Sequence, residues 1–333
     1  MMSKKLSKTG WLARSLISAA FVMSCLQPAS AADAFPRQSM RMLVPYAPGG
    51  AVDSLARLLS QKMSESFHQT IVVENAPGAA GVLAVNALMR SPSDGHTLLL
   101  ADSQFIIAPM LLKTPPYDPV KDLAPVGLAG TVPLFFLVKN DKPWKNLQQM
   151  IDYAKANPGK PLTYGTAGVG SVHHLSMEAF KAASNLNLVH VPYKGSGQSV
   201  QGILAGDIDI LVASPTSVQA HIEAGTLRQL AVTSGTRSPF APNVPSIAET
   251  YGGYDYSTGI GLLAPAATPL ALRERISAAL NAVLKLPDVS QRLTKVNQII
   301  ISGAGPTEYA EIIKTDSARF ATAVKQAGIS VDN

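Results

Sequence analysis

Short apolar runs that end in a Gly- or Pro-rich turn and lead into helically spaced residues recur along this chain, and that alternation constrains its fold more than any other feature. Residues 97–101 and 134–138 lack the apolar/polar alternation of a half-exposed strand, as strands covered on both faces require. Strands of this kind interleaved with amphipathic helices predict an α/β architecture of mostly parallel sheets flanked by helices. Further strands are expected at 70–74, 162–166, 188–191, 208–212, 227–232 and 259–263, and long helices at 270–285 and 307–326. No fixed-period repeat of solenoid length is present. The two halves nevertheless look alike, each opening with a strand, a Gly-rich turn and a helix start. Chain crossings near residue 132 and at 255–258 then give a discontinuous first lobe (32–132 and 257–333) and a second lobe (133–256), with the two turns facing each other across a cleft.

The first turn is Val44-Pro45-Tyr46-Ala47-Pro48-Gly49-Gly50-Ala51-Val52-Asp53. Pro45 and Pro48 forbid both a helix and a central strand there, while Gly49 and Gly50 can take positive φ and admit a ligand to bare backbone. Val52, Leu55, Ala56, Leu59 and Met63 follow with helical spacing and predict one buried stripe. The unpaired N–H groups and positive dipole end of such a helix form an anion site without a basic side chain, suited to a carboxylate. Asp53 either caps the helix from within its first turn or reaches into the site to accept from a ligand hydroxyl or ammonium. A tight turn with an Asp cap is the plainer alternative.

The second candidate is Gly165-Thr166-Ala167-Gly168-Val169-Gly170-Ser171-Val172-His173-His174. It follows a strand and opens a helix, but His173 stands where a dinucleotide fingerprint needs its third glycine, which argues against a nucleotide. Main-chain N–H groups with Thr166, Ser171 and His174 fit a carboxylate. Ser171 also reads as an ordinary N-cap. The apolar stripe Val172, Leu175, Ser176, Ala179 and Ala183 puts His174 on the opposite side of the helix.

Other chemistries find little support. His173 and His174 point apart on a helix, Glu178 lies one turn beyond His174, and neither a His-Glu-x-x-His pattern nor a cysteine ligand accompanies them, so no metal and no cofactor is expected. G-x-S-x-G and S-x-x-K are absent from the strand-to-helix turns. Asp207 and Asp209 face one way at a strand start and read as solvated. An enzyme using His174 with Asp53 or Asp102 as base, a hydrolase or isomerase, lacks a nucleophile or metal.

The N-terminal 31 residues read as an export signal: Lys4, Lys5, Lys8 and Arg14, an apolar core over 16–26, and an A-x-A site at Ala29-Ser30-Ala31 with cleavage after about Ala31. The alternative is a lipoprotein box at Val22-Met23-Ser24-Cys25 with Cys25 lipidated, which Met23 fits poorly. That segment holds four of the 28 Lys and Arg and none of the 22 Asp and Glu, so the remainder has 24 basic against 22 acidic residues, net +2. No basic run follows it, which leaves no case for nucleic acid. Cys25 is the single cysteine, so the exported chain has no disulfide or thiolate chemistry.

From Phe35 onward the chain resembles the Bug (TctC-like) receptors of tripartite tricarboxylate transport systems. The likeness rests on six blocks in order: 44–50, 73–81, 116–122, 191–196 (Val-Pro-Tyr-Lys-Gly-Ser), 230–234 and 261–265. The resemblance implies a two-lobed periplasmic binding protein of the type II kind, monomeric, that closes on a small carboxylate and serves the membrane subunits of a transporter; service to a membrane sensor is the other possibility. It places one anion loop on Pro48, Gly49, Gly50, Ala51 and Asp53, beside Tyr46, and the other on Thr166, Ala167, Gly168, Ser171 and His174. Asp102, Ser103, Tyr193 and Gly195 complete the lining it implies. Two departures stand out. Family members often carry a Thr-Ser-Gly-like turn where this chain has Ala101-Asp102-Ser103-Gln104, and an acid there repels a second carboxylate and can pair with a cationic group. Ala213 and Ser214 stand where a polar, often acidic residue is common, giving a smaller, more neutral wall. The ligand does not transfer from the family: a di- or tricarboxylate, an aromatic acid or an amino acid all stay open.

Overall fold

Eleven strands in the described residues sort into two sheets because the apolar runs differ in which neighbours complete them. The computed structural model describes residues 35–329, and the segment read above as an export signal, with Cys25, lies outside them. The first sheet contains β1 (Met40–Val44), β2 (Ile71–Asn75), β3 (Thr97–Asp102), β4 (Leu123–Val132), β10 (Thr258–Pro265) and β11 (Ile300–Ala304), in the order β11-β4-β10-β3-β1-β2. The second contains β5 (Phe135–Lys139), β6 (Leu162–Thr166), β7 (Leu188–Pro192), β8 (Ile210–Ala213) and β9 (Leu227–Val232), in the order β7-β6-β8-β5-β9.

Both sheets are mixed rather than mostly parallel. β1 runs parallel to β2 and β3, and β6 to β7 and β8, through helical crossovers. β10 is antiparallel to β3 and β4, β11 to β4, and β5 to β8 and β9. Apolar runs report burial on both faces but not direction. Direction here follows from the two passages between sheets. The chain leaves the first sheet at Val132, enters the second at Phe135, and returns on β10, whose Thr258 pairs with Val132. The two passages therefore lie side by side as one antiparallel ribbon.

Helix α1 (Ala51–Phe67) buries Val52, Leu55, Ala56, Leu59 and Met63, the stripe its spacing predicts. Helix α2 (Val172–Ser184) buries Val172, Leu175, Ser176 and Ala179, and also His174, which the stripe had placed opposite. Phe136 of β5 and Phe180 of α2 are fully buried and meet edge to face with centroids 5.3 Å apart. The sequence does not predict the helices at Ser196–Ala205 and Pro215–Glu223 or strand β11, because such short segments with few buried residues give too little periodicity. β4 meets β11 closely at Gly130, where a Cβ would lie 2.5 Å from the Ile300 carbonyl oxygen. The last helix, α3 (Pro306–Ala327), packs on β4 and reaches across to α2. No helix among the described residues is long and apolar enough to cross a membrane.

Candidate functional site

The turn after β1 is shaped by Asp53, which lies beneath it. Its Oδ2 accepts from the Gly49 N–H (2.9 Å) and Arg57 Nε (3.0 Å), and its Oδ1 from Arg57 Nη2 (3.0 Å) and Asn75 Nδ2 (2.8 Å). Asn75 Nδ2 also donates to the Tyr46 carbonyl at 2.9 Å. The Arg57 hydrogen bonds first, then those from Gly49 and Asn75, hold the Asp53 carboxyl down to about 2. Asp53 is thus buried, holds the turn from behind and lies outside the cavity lining described below. Gly49 takes φ +92°, but Gly50 is the extended N-cap of α1 at φ −76°, without a side-chain cap. Only the first glycine needs the left-handed region.

The turn after β6 is held by two stacked imidazoles, one buried and one half-buried. Gly168 and Gly170 take φ +141° and +73°. The Gly170 N–H donates to His174 Nδ1 at 3.1 Å, and the Ser171 hydroxyl donates to the Gly168 carbonyl at 2.8 Å while accepting from the His174 N–H at 3.3 Å. Thr166 is fully buried, its hydroxyl 2.7 Å from His190 Nε2. His174 and His190 stack, and the Tyr164 ring lies nearly parallel to His190 with centroids 4.9 Å apart. Glu178 accepts from the Tyr164 hydroxyl and from Lys181 Nζ at 2.8 Å, with His174 Nε2 3.8 Å away. Burial lowers both imidazoles to about 4, so both are neutral at pH 7. His174 and Thr166 therefore support the loop from inside, and the neighbour His173 turns outward instead.

One cavity of about 530 Å³ receives both turns. Tyr46, Gly50, Ala51 and Asp102 line it from the first sheet's side, and Ala167, Gly168, Ser171 and Ser214 from the second's. Pro48 and Gly49 are exposed outside this lining. Ser103 faces away and accepts from the Gly259 N–H at 2.8 Å. Tyr193 packs its ring over Gly202 and Gly165, Gly195 is the N-cap of the helix Ser196–Ala205, and Ala213 is buried within β8; none of the three is in the cavity wall. Asp209, expected in solvent, is half-buried and takes Lys142 Nζ at 2.6 Å and the Thr163 N–H at 3.0 Å.

The wall also contains residues that the sequence reading passed over. Ala80 belongs to the Pro-Gly-Ala-Ala-Gly block already singled out, and its φ of +53° turns that block toward the cavity. Val132, Thr258 and Ile260 come from the ribbon between sheets, and Asn297 and Ile299 from the segment before β11, where no sequence signal pointed to a site. His173 contributes a ring that burial lowers to about 4, with Nε2 3.5 Å from Ser214 Oγ. Asp102 is half-buried; the Tyr46 hydroxyl (2.7 Å) and the Gln104 N–H (3.1 Å) both donate to its Oδ1. Burial raises its carboxyl above the usual range, and those two donors pull it back. No Lys or Arg is among the described lining residues, and no group of three or more His, Cys, Asp or Glu among the described residues is arranged to hold a metal.

The profile described as "Tripartite tricarboxylate transporter family receptor" matches residues 55–329. A protein from the tcbD–tcbE intergenic region of a Pseudomonas species is 38% identical over 290 residues, 86% of each chain. Among solved structures, a Rhodopseudomonas palustris protein with adipate is similar at TM-score 0.75 and 29% identity, covering 89% of this chain and 99% of that one. MatC from the same species, with bound malate, gives 0.71 and 28%, covering 87% and 100%. The profile covers most of the chain, and the chain belongs to the tripartite tricarboxylate transporter receptor family.

Proposed function

We propose that this chain is a periplasmic receptor that captures a small organic carboxylate between its two lobes, residues 32–132 with 257–333 and residues 133–256, and delivers it to the membrane subunits of a tripartite transporter. One observation carries the reading: two Gly-rich turns from different sheets, each opening a helix of more than three turns, line a single cavity. First-turn N–H groups have no partner inside their own helix, and a carboxylate supplies acceptors for them. Each charge-assisted bond contributes roughly 1.5–3 kcal/mol. The adipate and malate found with two similar proteins support a carboxylate as the ligand class. A molecule touching both walls favours the arrangement in which both reach it, which is the basis of closure. Export follows from the signal at 1–31, and the receptor acts as a monomer.

A thermal-shift screen of the purified protein against mono-, di- and tricarboxylates, aromatic acids and amino acids, each beside its amide, tests the reading. At a hundredfold excess over Kd a ligand adds about 2.7 kcal/mol of stability, a shift of several degrees. A rise with an acid and not with its amide is expected. Shifts with amides and none with any acid would make both turns ordinary loops.

A further inference from the structure

We infer that Asp102 sets the selectivity of this cavity, admitting a monocarboxylate whose far end carries a hydrogen-bond donor, a hydroxyl or an ammonium, and rejecting the dicarboxylate of equal length. The inference rests on the carboxylate-receptor reading above.

The charge carried by the wall points this way. Asp102 is the one carboxylic acid among the described lining residues, and no Lys or Arg stands there to offset it. His173, the lining imidazole, is kept neutral by burial. What positive potential there is comes from the starts of α1 and α2, each equivalent to roughly half a unit charge. Together they match one carboxylate, not two. A second carboxylate entering the same cavity meets an acid of like sign, in a space where apolar walls such as Val52, Val132, Val169 and Ile260 weaken screening.

The chemistry of Asp102 specifies what replaces that second acid. A carboxylate offers about four acceptor positions and no donor. The Tyr46 hydroxyl and Gln104 N–H both land on Oδ1, which fixes the group's orientation and leaves acceptor capacity beyond those two bonds. A ligand hydroxyl or ammonium uses that capacity; a methyl terminus leaves it unused. Tyr46 and Gln104 are themselves in the wall, so the acid is held in place from the side as well as aimed.

The test is calorimetric titration of the wild-type protein and of Asp102→Asn with four acids of one chain length: the simple monocarboxylate, its terminal hydroxy and terminal amino derivatives, and the dicarboxylate. In the wild type the hydroxy or amino acid should bind at least tenfold more tightly than the dicarboxylate, and the Asn variant should narrow that ratio to about threefold or less. The amino arm should weaken as salt is raised and the hydroxy arm should not, which separates the two donors. A dicarboxylate that binds the wild type as well as the donor-bearing acids overturns the inference, as does a preference that survives Asp102→Asn unchanged. Should the variant fail to fold, the wild-type ratio decides alone. Failure of all four acids, and of every acid in the wider screen, overturns the carboxylate reading itself and this inference with it.

Discussion

His174 and His190 lie ring on ring, their centroids 3.8 Å apart and their planes 16° from parallel. One imidazole comes from the first turn of α2 and the other from β7, so the stack ties the helix start, and with it the loop at Gly168 and Gly170, to the sheet.

That stack makes stability depend on pH in a definable window. Tyr164, Glu178 and Lys181 face it, yet burial dominates and lowers both rings from 6.5 to about 4. A depressed folded value means that the unfolded chain takes up protons first. Stability is then full above pH 6.5 and is lost progressively as pH falls toward 4, on the order of 3 kcal/mol for each ring at most. Thermal melts should show Tm falling by several degrees between pH 7 and 4.5, with a shallower slope in His190→Phe. Equal slopes would remove the pair from the titration.

Gly50 offers a clean block of the cavity. Its φ of −76° suits any residue, and an added Cβ meets only the Ala47 carbonyl oxygen, at 3.8 Å. Gly50→Val should keep the fold, at a capping cost of about 1 kcal/mol, while lowering affinity for any ligand found at least a hundredfold. Unchanged affinity would take this turn out of the binding site.

Asp53 should act on binding without touching the ligand. Asp53→Asn removes the ionic partner of Arg57 and weakens the bond to the Gly49 N–H. We expect a loss of about 1–3 kcal/mol in stability and a fall in affinity that appears as a slower association rate, since the turn must be reordered before it can bind. A loss of stability with fully unchanged binding would assign Asp53 to the fold alone.

Ser171 separates capping from contact. Its hydroxyl is already used by the Gly168 carbonyl and the His174 N–H, and it also lines the cavity. Ser171→Ala should cost about 1 kcal/mol as a lost cap and weaken affinity about tenfold. An affinity change below twofold, measured by calorimetry, would leave only the cap.

Gly170 should be far less forgiving than Gly50. It combines φ +73° with an added Cβ only 2.3 Å from Leu111 Cδ1. Gly170→Ala should destabilise by about 2 kcal/mol, and Leu111→Ala should recover only part of it, because the backbone strain stays. Full recovery in chemical denaturation would show that crowding alone was at fault.

These contrasts show what could be read from the sequence. The stripe of α1 was legible because five apolar positions share one period, and both turns were legible because paired glycines sit between an apolar run and a helix start. Sheet direction was not, since β3 and β10 have equally apolar runs whether parallel or antiparallel. The exchange of His173 for His174 was hidden for a different reason. Helical spacing fixes their relative angle, but the Gly170 N–H donating to His174 Nδ1 sets which of them turns inward, and that bond depends on backbone the periodicity does not describe. Asn297 and Ile299 reach the cavity through β11, which pairs with β4 across a long sequence separation.

Val132, Thr258 and Ile260 belong both to the cavity wall and to the paired ribbon that links the sheets. On the closure proposed above, whatever occupies the cavity would press on the strands that join the halves, while α3 lies across to α2 as a packed contact rather than a covalent tie. Occupancy would then become an angle. A membrane subunit straddling both halves would register that angle from their outline without touching the cargo, so one docking surface would serve receptors that differ in cargo.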